Sequence, residues 1–134
     1  MRDGLMPGTV ARVETVVTPA MTATLGGQPI HPVLATARMI EWMEWAGRSL
    51  ILPYLEETED AVGYQVDIVH TRSTQVGDTL VAYAQFQKRD GNRIITKVWA
   101  ENSHGMVGSG TFVQVVLTKE RLALLLQSPP SPPR

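Results

Sequence analysis

Three side chains of this 134-residue chain have the types and settings that acid–base or nucleophilic chemistry requires: Thr36, Glu44 and His70. In residues 61–71, strand alternation puts Val62, Tyr64, Val66, Ile68 and His70 on one face, and Gly63, Gln65, Asp67, Val69 and Thr71 on the other. His70 thus ends the more apolar face, beside loops through which a ligand can enter; a satisfied core or edge histidine is the plain alternative. Glu44 falls on the border of a helix's apolar arc, where partial desolvation strengthens a carboxylate as a base. Arg48 stands four residues on, so an ordinary helix-surface ion pair competes with that reading. Thr36 lies in the first turn of the same helix. Its hydroxyl can cap an unpaired N–H, the commoner role, or orient a substrate carbonyl beside the positive end of the helix dipole. Thr36 and Glu44 are about 12 Å apart along a regular helix. They serve one site only if a substrate spans them or two copies of the chain meet.

Backbone N–H groups of residues 35–38, Ala35 and Ala37 among them, are placed to hold a developing oxyanion. Ile30 belongs to a breaker-rich stretch that can overhang the site. His31 and His104 lack the i,i+4 partners of a metal-binding helix. Gly108-Ser109-Gly110 does not match a phosphate loop and reads as a bulge or close backbone approach, with Gly110 a possible border of the ligand channel.

The elements that must position these residues follow from period and punctuation. Residues 9–18, rich in valine and threonine, read as a strand. Residues 20–32 contain Gly26, Gly27, Pro29 and Pro32 and read as a lid-like loop. Residues 33–52 shift to a helical period between Pro32 and Pro53, with Met39, Ile40, Trp42, Met43, Ala46 and Leu50 on one broad arc. After a linker, residues 61–71, 79–88, 93–101 and 106–117 alternate as strands joined by Gly77-Asp78, Asp90-Gly91-Asn92 and His104-Gly105 turns. Residues 119–127 suggest a short helix. The sum is an α+β chain, an antiparallel five-stranded sheet curled around one long helix, in a single domain over residues 1–127.

Composition excludes several functions. Hydrophobic residues make 43% and charged residues 19% of the chain, so it buries a core. A net charge of −1 without a basic stripe argues against nucleic acid. The absence of cysteine removes thiol nucleophiles, disulfides and thiolate metal sites. No stretch approaches the roughly 18 apolar residues of a membrane span, and no leader pattern opens the chain, so a cytoplasmic location without membrane contact is expected. Residues 128–134, SPPSPPR, read as a disordered tail.

The segments VLATARMIEWMEWA, PYLE, VHT, VGDTL and GSGTF, in this order and spacing, resemble the fluoroacetyl-CoA thioesterase branch of the hot-dog superfamily. The likeness runs over about residues 1–120. It implies an acyl-CoA thioester hydrolase with a threonine, glutamate and histidine set falling on Thr36, Glu44 and His70. It further implies no metal or bound redox cofactor, and a homodimer or dimer of dimers with sites at the subunit interface. Two departures stand out. Gly27 and Ile30 occupy the pre-helix stretch where the fluoroacetyl specialist carries phenylalanines, which argues against a small fluorine-selective pocket. Gln114 occurs where the family carries an arginine shortly after G-S-G-T. Competing readings are a hot-dog enoyl-CoA hydratase, which would use a histidine with an aspartate such as Asp67, and a non-catalytic acyl-CoA-binding module.

Overall fold

The computed structural model describes residues 1–127; the expected tail lies outside them. Its elements are β1 (Val10–Val16), a 3-10 turn (Pro19–Met21), β2 (Thr22–Leu25), β3 (Gln28–Leu34), α1 (Thr36–Ile51), a second 3-10 turn (Leu52–Tyr54), β4 (Glu59–His70), β5 (Thr79–Asp90), β6 (Arg93–Asn102), β7 (Gly105–Thr118) and α2 (Lys119–Leu126). Five strands form an antiparallel sheet in the order β1-β5-β6-β7-β4, and β2 and β3 form a separate ribbon. The expected sheet curled around one long helix is the observed architecture.

Apolar periodicity explains how α1 lies in the sheet. Met39, Met43, Ala46, Leu50 and Ile51 are buried, while Ile40 and Trp42, from the same predicted arc, are half-buried. Opposite them Ala82, Ala84 and Ala100 are fully buried, and their short side chains let the helix approach the strands closely. Met39 and Met43 have no exposed surface. Burial of each such side chain stabilises the fold by about 1.5–3 kcal/mol.

Two expectations need correction. Residues 20–32 are not one loop, because Gly26 and Gly27, at φ +56° and +79°, make the tight turn between β2 and β3. Both backbones there need the left-handed region that glycine adopts without strain. Pro29 and Pro32 are tolerated because β3 belongs to a two-stranded ribbon, where a missing N–H need not break a ladder. The helix, correspondingly, starts at Thr36 rather than at residue 33. Val33 bridges to Gln75 and Leu34 N–H donates to Thr74 O, so both are held extended.

The second correction concerns the faces of β4. Gly63 pairs with Gln114 and Val66 with Phe112, with a register slip between Gly63 and Gln65. This bulge reverses the alternation. Gly63 therefore joins Val66, Ile68 and His70 on the inward side, contrary to strict alternation, while Asp67 lies opposite Thr111 on the other face.

Candidate active site

The start of α1 is fixed from two sides. Ala35, extended at φ −66° and ψ 142°, is the N-cap and makes no side-chain cap; its N–H donates to Met21 O. Thr36 is the first helical residue, and its hydroxyl is bonded to His70 rather than spent on a cap. The Thr36 Oγ1 to His70 Nδ1 distance is 2.8 Å, which joins the first turn of the helix to the last residue of β4. Either Thr36 donates to Nδ1 and Nε2 carries the ring proton, or Nδ1–H donates to Thr36 and Nε2 is free to act as a base. Nε2 is buried and has no hydrogen-bond partner among the described residues.

Beside this pair lies a cavity of about 270 Å³ between the β2–β3 ribbon and the helix start, lined by residues that include Leu25, Ile30, His31, Ala35, Thr36 and Ala37. Three of the four residues expected to bind substrate, Ile30, Ala35 and Ala37, line it. Arg38 N–H is taken by Ala35 O, as Ala35 N–H is by Met21 O. The Thr36 and Ala37 N–H groups therefore remain as the free donors of the first turn among the described residues. The fourth, Gly110, lies in the β4–β7 ladder, paired with Ile68. A β-carbon there would collide with the Asp67 carbonyl oxygen, so its lack of a side chain permits the β4–β7 pairing.

Glu44 lies two turns along α1, exposed in the single chain, with its carboxylate over β4. A β-carbon on Gly63 would sit 2.8 Å from Glu44 Oε2 and 3.4 Å from Phe112 Cζ. The cavity at this point, of about 320 Å³, is lined by Ile40, Glu44, Gly63, Tyr64, Gln65, Val66 and Phe112. Arg48 does not pair with Glu44. It reaches Asp60 Oδ1 at 3.0 Å and Ala61 O at 3.2 Å. The Asp60 carboxyl is held below its usual range, first by the Ala61 N–H and then by Arg48. Glu44 is left without an ion-pair partner among the described residues.

Within one chain, then, the fold joins Thr36 to His70 and seats Glu44 in a neighbouring cavity of the same helix–sheet seam. One residue escaped the sequence reading, Gly63, which makes room for the carboxylate; Gln114, noted there as a departure from the family's arginine, is buried opposite it. A glycine inside a strand pattern is a signal of close approach, but the hidden bulge assigned Gly63 to the wrong face.

Comparison with known proteins decides the lineage. Residues 17–120 match the family model FlK, described as fluoroacetyl-CoA-specific thioesterase. The chain belongs to this family. A FlK-family relative, the fluoroacetyl-CoA thioesterase of Streptantibioticus cattleyicolor, is 30% identical over 131 residues, covering 90% of this chain and 91% of that protein. Among solved structures, a Thermus thermophilus hypothetical protein described as a thioesterase superfamily member superimposes with a TM-score of 0.89 at 40% identity, over 92% of each chain. The fluoroacetyl-CoA thioesterase FlK itself gives 0.85 at 28% identity, over 95% of this chain and 100% of that one. The FlK-family chain is thus a hot-dog thioesterase.

Proposed function

We propose that the chain hydrolyses small or medium acyl-CoA-type thioesters, with Thr36, Glu44 and His70 as its catalytic set, and that a second copy completes the site. The observation that carries this reading is the Thr36–His70 hydrogen bond at the edge of the ribbon-covered cavity. A hydroxyl bonded to an imidazole there is a poised polar pair, not a helix cap and not a satisfied core histidine. The departures in the pre-helix stretch, Gly27 and Ile30, favour an acyl group other than fluoroacetyl.

In this reading the thioester carbonyl oxygen points at the Thr36 and Ala37 N–H groups, which offset the negative charge that develops on it. Glu44 either takes a proton from the water that adds to the carbonyl carbon, or adds to that carbon itself and forms an acyl–Glu44 anhydride, which water then hydrolyses to release the acid and restore the carboxylate. In both routes the C–S bond breaks and the departing thiolate receives a proton, which His70 is placed to shuttle. Thioesters have little resonance to lose and a good leaving group, so one carboxylate and one imidazole suffice.

Support for a second copy comes from the unpartnered side of the chain. Tyr64, Val66 and Val69 on edge strand β4 are 55%, 46% and 59% exposed, and Trp45, next to Glu44, is 50% exposed. A long apolar edge of this kind invites pairing. An aspartate–histidine hydratase finds less support, since Asp67 and His70 occupy opposite faces of β4. Measuring thiol release from a panel of acyl-CoAs tests the function. Release by the wild-type protein, lost in Glu44→Ala and His70→Ala, is expected; alkene hydration, saturable binding without turnover, or full rates in both variants would contradict it.

A further inference from the structure

The helix–sheet seam at Glu44 has a second polar member. Glu44 and Gly47 are three residues apart on α1, and they face Gly63 and Gln114, a cross-strand pair of β4 and β7. Each polar side chain meets a glycine of the opposing layer. The Glu44 carboxylate lies where a β-carbon of Gly63 would be 2.8 Å away, and the Gln114 amide nitrogen lies 3.1 Å from the position of a β-carbon on Gly47. A glycine inside a helix costs about 1 kcal/mol relative to alanine, so Gly47 is a concession to the Gln114 amide.

Gln114 is only 2% exposed, yet its Nε2 has no hydrogen-bond partner among the described residues. A buried donor left unpaired is destabilising, and an apolar side chain of the same shape would remove that cost. Something other than stability therefore retains an amide across the β4–β7 pair from Gly63, the glycine beneath the carboxylate.

We propose that Gln114 is a positioning residue for Glu44, donating its free N–H to the carboxylate in the substrate-loaded site so that Glu44 is held directed at the thioester. The inference rests on the catalytic reading of Glu44 given above. Gln65 lines the same cavity, but it is exposed and its amide is free to bond water, whereas Gln114 is buried; the remaining groups around Glu44 do not supply this donor. On its own helix, Glu41 is paired with Arg38 and Arg48 with Asp60. On β4, the Tyr64 hydroxyl accepts from Arg93, whose guanidinium stacks on the Tyr64 ring at 4.7 Å. Phe112 of β7 brings no charge. Gln114 is neutral, so it can hold a carboxylate without neutralising it as an ion pair would.

The test compares Gln114→Met, close in shape but without a donor, with the wild-type enzyme. The readout is the pH profile of kcat/KM on the acyl-CoA turned over fastest in a panel starting at acetyl-CoA. A positioning role predicts a fall in kcat of about tenfold, the scale of one hydrogen bond to a charged group, with KM little changed. It also predicts that the acid limb moves up by about one pH unit, because the carboxylate loses the donor that favours its ionised form. A purely structural role predicts an unmoved acid limb and an unchanged or higher Tm, and that outcome overturns the proposal. Side-chain amide NMR of the wild-type protein gives a readout that needs no Gln114 variant: the Gln114 Nε2 resonances should titrate with Glu44 and stop titrating in Glu44→Gln. Glu44→Gln inactive with Gln114→Met unchanged removes the role of Gln114 alone. Glu44→Gln at full rate removes both readings.

Discussion

The hydroxyl of Thr36 lies 2.8 Å from His70 Nδ1, tying the first residue of α1 to the last residue of β4. Because a hydroxyl is all this contact needs, Thr36→Ser should retain most activity. Thr36→Ala should lower kcat by about 100-fold on short acyl-CoAs, the lower end of what one positioned acid–base group contributes. Thiol-release kinetics with an unfolding check separate this from a loss of fold, and equal rates for the alanine variant would dissociate the pair from catalysis.

Gly63 tests the carboxylate seat. A methyl group there would lie 2.8 Å from Glu44 Oε2, while the residue itself is exposed and its backbone is not left-handed. Gly63→Ala should therefore leave Tm within a few degrees of wild type yet cut kcat by at least about tenfold through a displaced carboxylate. A fall in Tm with unchanged turnover would contradict this.

Gly110→Ala should behave in the opposite way. Its new methyl group meets the Asp67 backbone carbonyl, which cannot swing aside as a side chain does. Destabilisation above about 3 kcal/mol is expected, measured by chemical unfolding, before any question of substrate binding arises.

The Asp60 carboxyl is held below its ordinary range by the Ala61 N–H and by Arg48. Its stabilising contribution is thus complete above the unfolded carboxylate value, about pH 4, and disappears as the pH falls through the lower folded value. Asp60→Asn should cost roughly 1 kcal/mol at pH 7, modest because both partners are partly solvated, and the difference from wild type should shrink toward pH 3. Thermal unfolding across that range measures it.

Much of this arrangement is written in the sequence. Met39, Met43, Ala46 and Leu50 mark the buried face of α1, and the Gly91 turn marks the β5–β6 hairpin. What escaped depends on features that local pattern does not encode. Pro29 and Pro32 disguise a ribbon that survives because it is only two strands wide. The bulge between Gly63 and Gln65 inserts one residue and turns the first half of β4 over, so alternation alone misplaces Gly63, Val62 and Tyr64. Thr36, Glu44 and His70 stood out by residue type and position, but the hydrogen bond between the first and last spans 34 residues and becomes visible only in three dimensions.

In the proposed site Thr36 and His70 work on one thioester with a Glu44 supplied by a second copy, because the single chain holds its own Glu44 apart from them. Mixing separately inactive Glu44→Ala and His70→Ala proteins under conditions that exchange subunits tests it directly. If the site is shared across a two-fold dimer, random mixing regenerates one intact site in each mixed dimer, about a quarter of wild-type activity in all. If activity stays at the level of the parent variants although mixed dimers form, the shared-site account is wrong.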